Sequence, residues 1–88
     1  MEKENPRAIK SILSGEKATR LMQEQNKISF LVEGWSNKIM IKREVEKDFD
    51  VKVSSVNILN KMDGSKVAIV KLRPEYMAMD LATKLGMI

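Results

Sequence analysis

Residues 51–72 read VKVSSVNILNKMDGSKVAIVKL, and this stretch decides the fold. Two runs of aliphatic and β-branched residues, Val51 to Asn60 and Lys66 to Leu72, are typical of β-strands. Asp63-Gly64 between them indicates a tight turn, because glycine accepts the positive φ that a hairpin turn needs. Ser54-Ser55 is compatible with a bulge in the first run. The stretch therefore predicts an antiparallel hairpin.

Two shorter strands and a helix are predicted upstream of the hairpin. Ile9 to Leu13 is apolar enough for an edge strand, and Lys27 to Val32 switches to a period of two. Between them a helix is predicted from about Gly15 to Gln25, with the Ser14 hydroxyl accepting a free N–H of its first turn. The apolar residues of this helix fall on one face: Ala18, Leu21 and Met22.

Two further amphipathic helices complete the pattern. The second is predicted from Asn37 to about Phe49 with Ser36 as its N-cap. The third is predicted to hold Pro74 in its first turn, where the missing N–H costs nothing, and to end at Gly86. The apolar stripes of the two helices are Ile41, Val45 and Phe49, and Ala78, Leu81, Ala82 and Leu85.

The predicted fold class is α+β, a single domain with the order β-α-β-α-β-β-α. The sheet is expected to be mostly antiparallel, and since every helix has one apolar face, all three helices are expected on one face of the sheet. Val45 and Leu81 are assigned to the core between helices and sheet. The opposite face would then be open to a partner. Residues 1–8 are expected to be a flexible lead-in, and residues 9–88 the folded domain.

The composition excludes several kinds of protein. The 88 residues include no cysteine and no histidine, so disulfides, thiolate nucleophiles and zinc clusters are impossible, and the usual general base is missing. No cofactor or metal is expected, since the acidic residues between 44 and 50 lack the spacing of a cation-binding loop. The apolar runs are too short for a membrane span, and the N-terminal residues lack the apolar stretch of a secretory signal. We expect a soluble cytoplasmic protein that is not an enzyme.

The charge distribution indicates an anionic partner. The chain has 16 basic and 12 acidic residues and a formal net charge of +4. Residues 51–73 alone hold five basic residues and one acidic residue. The basic excess is therefore concentrated in and around the predicted hairpin.

Four segments at matching spacings resemble one family of proteins. They are Lys17-Ala18, NKIMIK at 37–42, FDVKVSSVN at 49–57, and KLRPEY at 71–76 followed by DLATKLG at 80–86. Over about residues 9–88 the chain resembles large-subunit ribosomal protein twenty-three in its archaeal form. The resemblance implies binding to large-subunit ribosomal RNA beside the exit of the nascent-peptide tunnel. It also implies contact with the neighbouring large-subunit ribosomal protein twenty-nine, and a share in the docking platform for the signal recognition particle and other factors.

The chain departs from the family pattern in two places. The family usually has threonine or serine directly before the Glu-Lys pair, whereas Gly15 here separates Ser14 from Glu16-Lys17. The bacterial branch carries a long hairpin arm that enters the tunnel, and the connection from Asn60 to Ser65 is too short for such an arm. We therefore expect the protein on the ribosome at the tunnel mouth. No insertion in a membrane is expected.

The candidate RNA-binding residues are basic or polar side chains at positions expected to be exposed. Asn37, Lys38 and Lys42 would grip phosphates from the start of the second helix, although two lysines at this spacing are also common on solvated helices. The hairpin lysines would cover phosphates, although edge lysines also discourage strand pairing between molecules. The full set is Lys17, Arg20, Asn37, Lys38, Lys42, Arg43, Lys52, Lys61, Lys66 and Lys71.

Trp35 and Glu16 are candidates for contacts other than phosphate binding. Trp35, the one tryptophan, would either stack on an unpaired base or cover the core with its indole edge, and both interpretations stay open. Glu16 is expected at the exposed start of the first helix. By the resemblance, it is a candidate contact for tunnel-exit factors.

Other functions compete with RNA binding by a structural subunit. The main alternative is a small regulatory module that binds a ligand or a protein, but such a module needs a roughly neutral sheet face. A binder of the RNA-recognition-motif type is disfavoured because the strands lack the paired aromatics that stack on bases. A catalytic role is the weakest alternative, since no nucleophile and base stand in a recognisable motif.

Overall fold

The computed structural model describes residues 7–84, which form four strands and three helices. The strands are β1 (Ile9–Ile12), β2 (Lys27–Val32), β3 (Val53–Asn60) and β4 (Lys66–Leu72). The helices are α1 (Glu16–Gln25), α2 (Lys38–Phe49) and α3 (Ala78–Lys84). All neighbouring strands are antiparallel, in the order β1-β2-β4-β3. The predicted α+β class and the predicted order of elements are confirmed.

The centre of the sheet is β4, which pairs with β2 on one side and with β3 on the other. Val70 stands opposite both Ile28 of β2 and Val56 of β3, so a row of three apolar side chains crosses the sheet. The register of β3 shifts between Val53 and Ser55, which confirms the bulge predicted at the two serines. The strand itself begins at Val53, two residues later than predicted.

The main core lies between the sheet and helices α2 and α3. Val45 of α2 and Leu81 of α3 are both buried in it, as predicted. Phe49 at the end of α2 stacks on Phe30 of β2, with ring centroids 6.0 Å apart and planes inclined by 10°. The largest fully buried side chains of the core are Phe30, Ile28, Ile41, Leu72, Val32, Val45, Val53 and Val70.

Helix α1 covers a different surface from α2 and α3. Strand pairing turns Val67 and Ile69 away from the main core, and Ala18 and Leu21 of α1 line a groove with them. Met22 alone among the apolar residues of α1 reaches the main core. The expectation of one shared face therefore holds for α2 and α3, and not for α1. The reason is that β4 is apolar on both faces, and each apolar face needs cover.

The first two helices begin one residue later than predicted, with different caps. Gly15 precedes α1 with a φ of 114°, and no side chain caps the helix, so the cap predicted at Ser14 is wrong. Asn37 caps α2, since its Oδ1 accepts a hydrogen bond from the N–H of Met40 at 2.9 Å. Ser36, the predicted cap, donates its hydroxyl to a carbonyl of the preceding loop instead. Asparagine and serine are equally good caps, so the choice between neighbours depended on this loop contact.

The third helix begins at Ala78, and Pro74 lies before it in a turn. The N–H of Tyr76 donates to the carbonyl of Arg73 at 2.9 Å, which makes Pro74 the second residue of a four-residue turn. The predicted helical place of Pro74 is therefore wrong, because proline is also favoured at this position of a turn. The N–H of Ala78 donates instead to Oδ1 of Asn26 at 2.6 Å.

The first residues that the structure describes are held by one carboxylate of α2. Glu44 accepts hydrogen bonds from the N–H of Ala8 at 2.9 Å and from the N–H of Ile9 at 3.1 Å. Because Ala8 is also buried in the core, the packed domain includes at least this residue of the predicted lead-in. Residues 1–6 and 85–88 lie outside the described residues, and with them the rest of the lead-in and the predicted end of α3.

We expect Leu81→Ala to lower the free energy of unfolding by roughly 2 to 5 kcal/mol, because it leaves a cavity in the core. Leu81 is 4% exposed, whereas Leu59 is 47% exposed, so Leu59→Ala is the matched control. The control should cost about 1 kcal/mol or less. Urea unfolding of both variants is the measurement, and equal losses of stability would contradict this description of the core.

Candidate nucleic-acid interface

The candidate RNA-binding residues of the sheet separate into two groups. Lys66 stands opposite Val32 and Asn60, at the end where a turn joins β3 and β4. Lys71 stands opposite Lys27 at the other end. Five residues along a strand span about 17 Å, so the two groups are separate candidate sites. We refer to residues 32–42 and 60–66 as the turn end, and to residues 26–27, 52–54 and 71–73 as the far end.

At the turn end, a rigid turn presents Lys61. The N–H of Lys61 donates to the carbonyl of Ser65 at 2.9 Å, and the N–H of Gly64 donates to the carbonyl of Lys61 at 3.0 Å. Oδ1 of Asp63 accepts hydrogen bonds from the Ser65 hydroxyl at 2.7 Å and from the Ser65 N–H at 2.9 Å. These bonds, the hydroxyl's above all, hold the pKa of Asp63 below its ordinary value. The exposed Lys61 therefore projects from a fixed backbone.

The ammonium group of Lys66 forms hydrogen bonds within the fold. Its Nζ donates hydrogen bonds to the carbonyls of Gly34 at 3.1 Å and of Ser36 at 2.6 Å, and the residue is half-buried. These two bonds tie the start of β4 to the loop that carries Trp35. An ammonium group has three donors, so one N–H of Lys66 is left for another acceptor.

The start of α2 adds exposed cations to the turn end. Oδ1 of Asn37 is used in the helix cap, which leaves the side-chain amide N–H groups as its donors to any ligand. Lys38 and Lys42 are one helical turn apart and exposed, and neither forms a salt bridge within residues 7–84. Arg43 is exposed beside them. Like charges at this spacing cost a few tenths of a kcal/mol, which a bound anion would offset.

The far end includes a lysine that sequence reasoning missed. Lys27 and Lys71 are paired directly across β2 and β4. Like charges in this arrangement destabilise a sheet unless an anion lies between them. Lys52 lies nearby, because its carbonyl accepts a hydrogen bond from the N–H of Arg73 at 3.0 Å. Lys52 is also exposed. No local pattern could have identified Lys27, because its significance comes from its partner 44 positions later.

Helix α1 carries two of the candidate RNA-binding residues, Lys17 and Arg20. Lys17 lines the same groove as Lys61, so it adds a cation next to the turn end. Arg20 is exposed, and its guanidinium lies 3.9 Å from the carboxylate of Glu16. This ion pair is solvent-exposed and contributes little to stability. Glu16 therefore stays accessible at the start of α1.

Several apolar side chains are exposed near the turn end. Trp35 is 51% exposed, and Ile39, in the first turn of α2, is 65% exposed. Met62, in the turn between β3 and β4, is fully exposed. The turn end thus combines cations with apolar surface.

Within the described residues, no three acidic side chains come together in a way that could hold a metal ion. No helix between residues 7 and 84 has the length and apolar character needed to cross a membrane.

Comparison with known proteins decides the family. A family model described as Ribosomal protein L23 matches residues 7–79. A relative from Pyrobaculum aerophilum, named Large ribosomal subunit protein uL23, is 46% identical over 80 residues, which cover 91% of this chain and 99% of the relative. The chain belongs to the Ribosomal protein L23 family.

Family membership establishes the general role of the chain. The predicted resemblance is confirmed, and the chain is a structural constituent of the large ribosomal subunit. Its place of action is accordingly the ribosome in the cytoplasm, as predicted. The family model covers the first six elements of the fold and the first two residues of α3.

We expect Lys66→Met to loosen the loop that carries Trp35, because two hydrogen bonds to loop carbonyls are lost. The fluorescence anisotropy of Trp35, the single tryptophan, should fall, and stability should decrease by roughly 1 kcal/mol. Lys71→Met is the matched control, since Lys71 is exposed on the same strand. If both variants leave the anisotropy unchanged, Lys66 does not hold the loop.

Proposed function

We propose that this chain binds large-subunit ribosomal RNA beside the exit of the nascent-peptide tunnel, and helps there to form the docking platform for the signal recognition particle and other factors. The observation that carries the proposal is the group of exposed cations at the turn end. Lys38, Lys42 and Lys61 are exposed, and no salt bridge within residues 7–84 neutralises them. The name of the relative, a protein of the large ribosomal subunit, supports RNA as their partner.

The binding mechanism follows from the charges and the fixed backbone. Lysine ammonium groups contact phosphate oxygens and release the counterions that screened them, which supplies affinity without reading the sequence. Lys61 is held by a closed turn, and Lys38 and Lys42 by the capped start of α2. The backbone that carries these cations is therefore fixed before the RNA arrives, so only their side chains have to be ordered on binding.

The short turn supports a position at the tunnel mouth. β3 and β4 are joined by only five residues, from Lys61 to Ser65, so this hairpin has no arm that could enter a tunnel. Glu16 is exposed at the start of α1 and is our candidate contact for tunnel-exit factors. We also propose ribosomal protein twenty-nine of the large subunit as a neighbour.

The alternative of a small regulatory module has less support. Such a module needs a neutral sheet face, whereas Lys27 and Lys71 stand directly opposite each other on this sheet. The repulsion between them is relieved by a polyanion more simply than by a neutral ligand.

We expect RNA affinity to fall steeply with salt. A plot of log K against log salt concentration should have a slope of about −3 to −6, because each neutralised phosphate releases about 0.7 to 0.9 counterion. The measurement is fluorescence anisotropy with labelled transcripts that tile the large-subunit ribosomal RNA of the source organism. Lys38→Ala combined with Lys42→Ala should weaken binding and make the slope less steep by about 1.5.

The matched control removes two other exposed lysines, Lys47 and Lys84, which lie at the ends of α2 and α3. This double variant has the same net charge as the first, so a smaller effect on the slope identifies the start of α2 as the contact. Both variants should melt like the wild type, since surface changes cost about 0.5 kcal/mol or less. A wild-type slope near zero would rule out binding through phosphates.

A further inference from the structure

The indole of Trp35 lies largely outside the packed core. Its side chain is 51% accessible, and it is not among the residues of the main core. A single exposed apolar residue is ordinary on a protein surface. Here, however, Ile39 and Met62 are also exposed at the same end of the sheet, so the indole is one of three exposed apolar side chains there.

The backbone on both sides of Trp35 is fixed. Ser36 donates its N–H at 3.1 Å and its hydroxyl at 2.6 Å to the carbonyl of Glu33. From the other direction, Nζ of Lys66 binds the carbonyls of Gly34 and Ser36. The loop that carries the indole is therefore held by hydrogen bonds, and ordering the loop backbone on binding costs little free energy.

The charges around the indole indicate which kind of molecule covers it. The ammonium of Lys66 contacts the residues on either side of Trp35, and Lys38 follows three positions later. Lysine is depleted in protein–protein interfaces, whereas an aromatic face next to cations is the usual arrangement for single-stranded nucleic acid. An apolar protein partner would leave these ammonium groups desolvated and unpaired, at a cost in free energy.

We infer that Trp35 is a stacking platform for an unpaired base of the ribosomal RNA, with Lys38 and the remaining N–H of Lys66 facing the phosphates that flank that base. The inference rests on the proposed RNA binding and adds a contact of a different physical kind. Stacking uses the π face that every base has, so the site recognises a nucleotide that is free of pairing and tolerates its identity. Cations alone would not distinguish an unpaired nucleotide from a helix.

The single tryptophan makes the test direct. Labelled transcripts that tile the large-subunit ribosomal RNA are titrated into the full chain, and transcript anisotropy and indole fluorescence are followed together. Fluorescence should be quenched over the same concentration range in which the transcript binds. Trp35→Ala should bind roughly 5- to 160-fold more weakly, equivalent to about 1 to 3 kcal/mol for one stacked base. Trp35→Phe should retain part of the affinity.

The salt dependence separates stacking from charge. Because Trp35→Ala removes no charge, its plot of log K against log salt should run parallel to the wild-type plot, displaced to weaker binding. Met77→Ala is the control for the loss of an exposed apolar side chain outside the turn end, since Met77 is 57% exposed and lies near the far end. This variant should keep the wild-type quenching of indole fluorescence and should lose less affinity than Trp35→Ala.

Three results would overturn the inference. If transcripts bind while indole fluorescence stays constant and Trp35→Ala has wild-type affinity, the stacking contact is absent although RNA binding stands. If Trp35→Ala binds transcripts normally but fails to enter reconstituted large subunits, a protein covers the indole instead. If no transcript binds the wild type at low salt, the proposed function itself fails, and the stacking site fails with it.

Discussion

The pairing of β4 with a strand on each side determines which side chains of the sheet face the core and where its lysines lie. Because side chains alternate across a strand, this register points Val70 towards α2 and α3 together with Ile28 and Val56. A slip of one residue would exchange the two faces and expose the core residues. The same register brings Lys71 opposite Lys27, and it brings Lys66 to the end where the Trp35 loop begins. The core and the positions of the lysines on the sheet thus depend on one set of strand contacts.

This arrangement leaves the isolated domain with unrelieved repulsion. A domain of this size buries a modest fraction of its surface, so its stability margin is small. Paired lysines on the sheet and adjacent lysines on α2 reduce that margin further. An RNA that binds only the folded chain would neutralise these lysines and would stabilise the fold by an amount that rises with the logarithm of the RNA concentration. A constituent of the ribosomal subunit can therefore carry charges that a free protein would avoid.

Features encoded by local periodicity were predictable from the sequence, and features that depend on distant contacts were not. The hairpin, the bulge and the burial of Val45 and Leu81 follow from patterns within a few residues, and the structure confirms them. The start of α3 was misplaced because its first N–H is bound by Asn26, 52 positions away. The position of α1 was misjudged because an amphipathic stripe does not specify which face of a sheet it covers. In the candidate site, exposed lysines were foreseen, whereas the structural bonds of Lys66 and the pairing of Lys27 required the folded register.

The central claim is that the turn end faces RNA in the assembled subunit. The most direct test labels lysines with acetic anhydride, in the free chain and in purified large subunits, and compares the two by mass spectrometry. We expect Lys38, Lys42 and Lys61 to react in the free chain, where they are exposed, and to be protected in the subunit. Equal reactivity of these three lysines in both states would contradict the account.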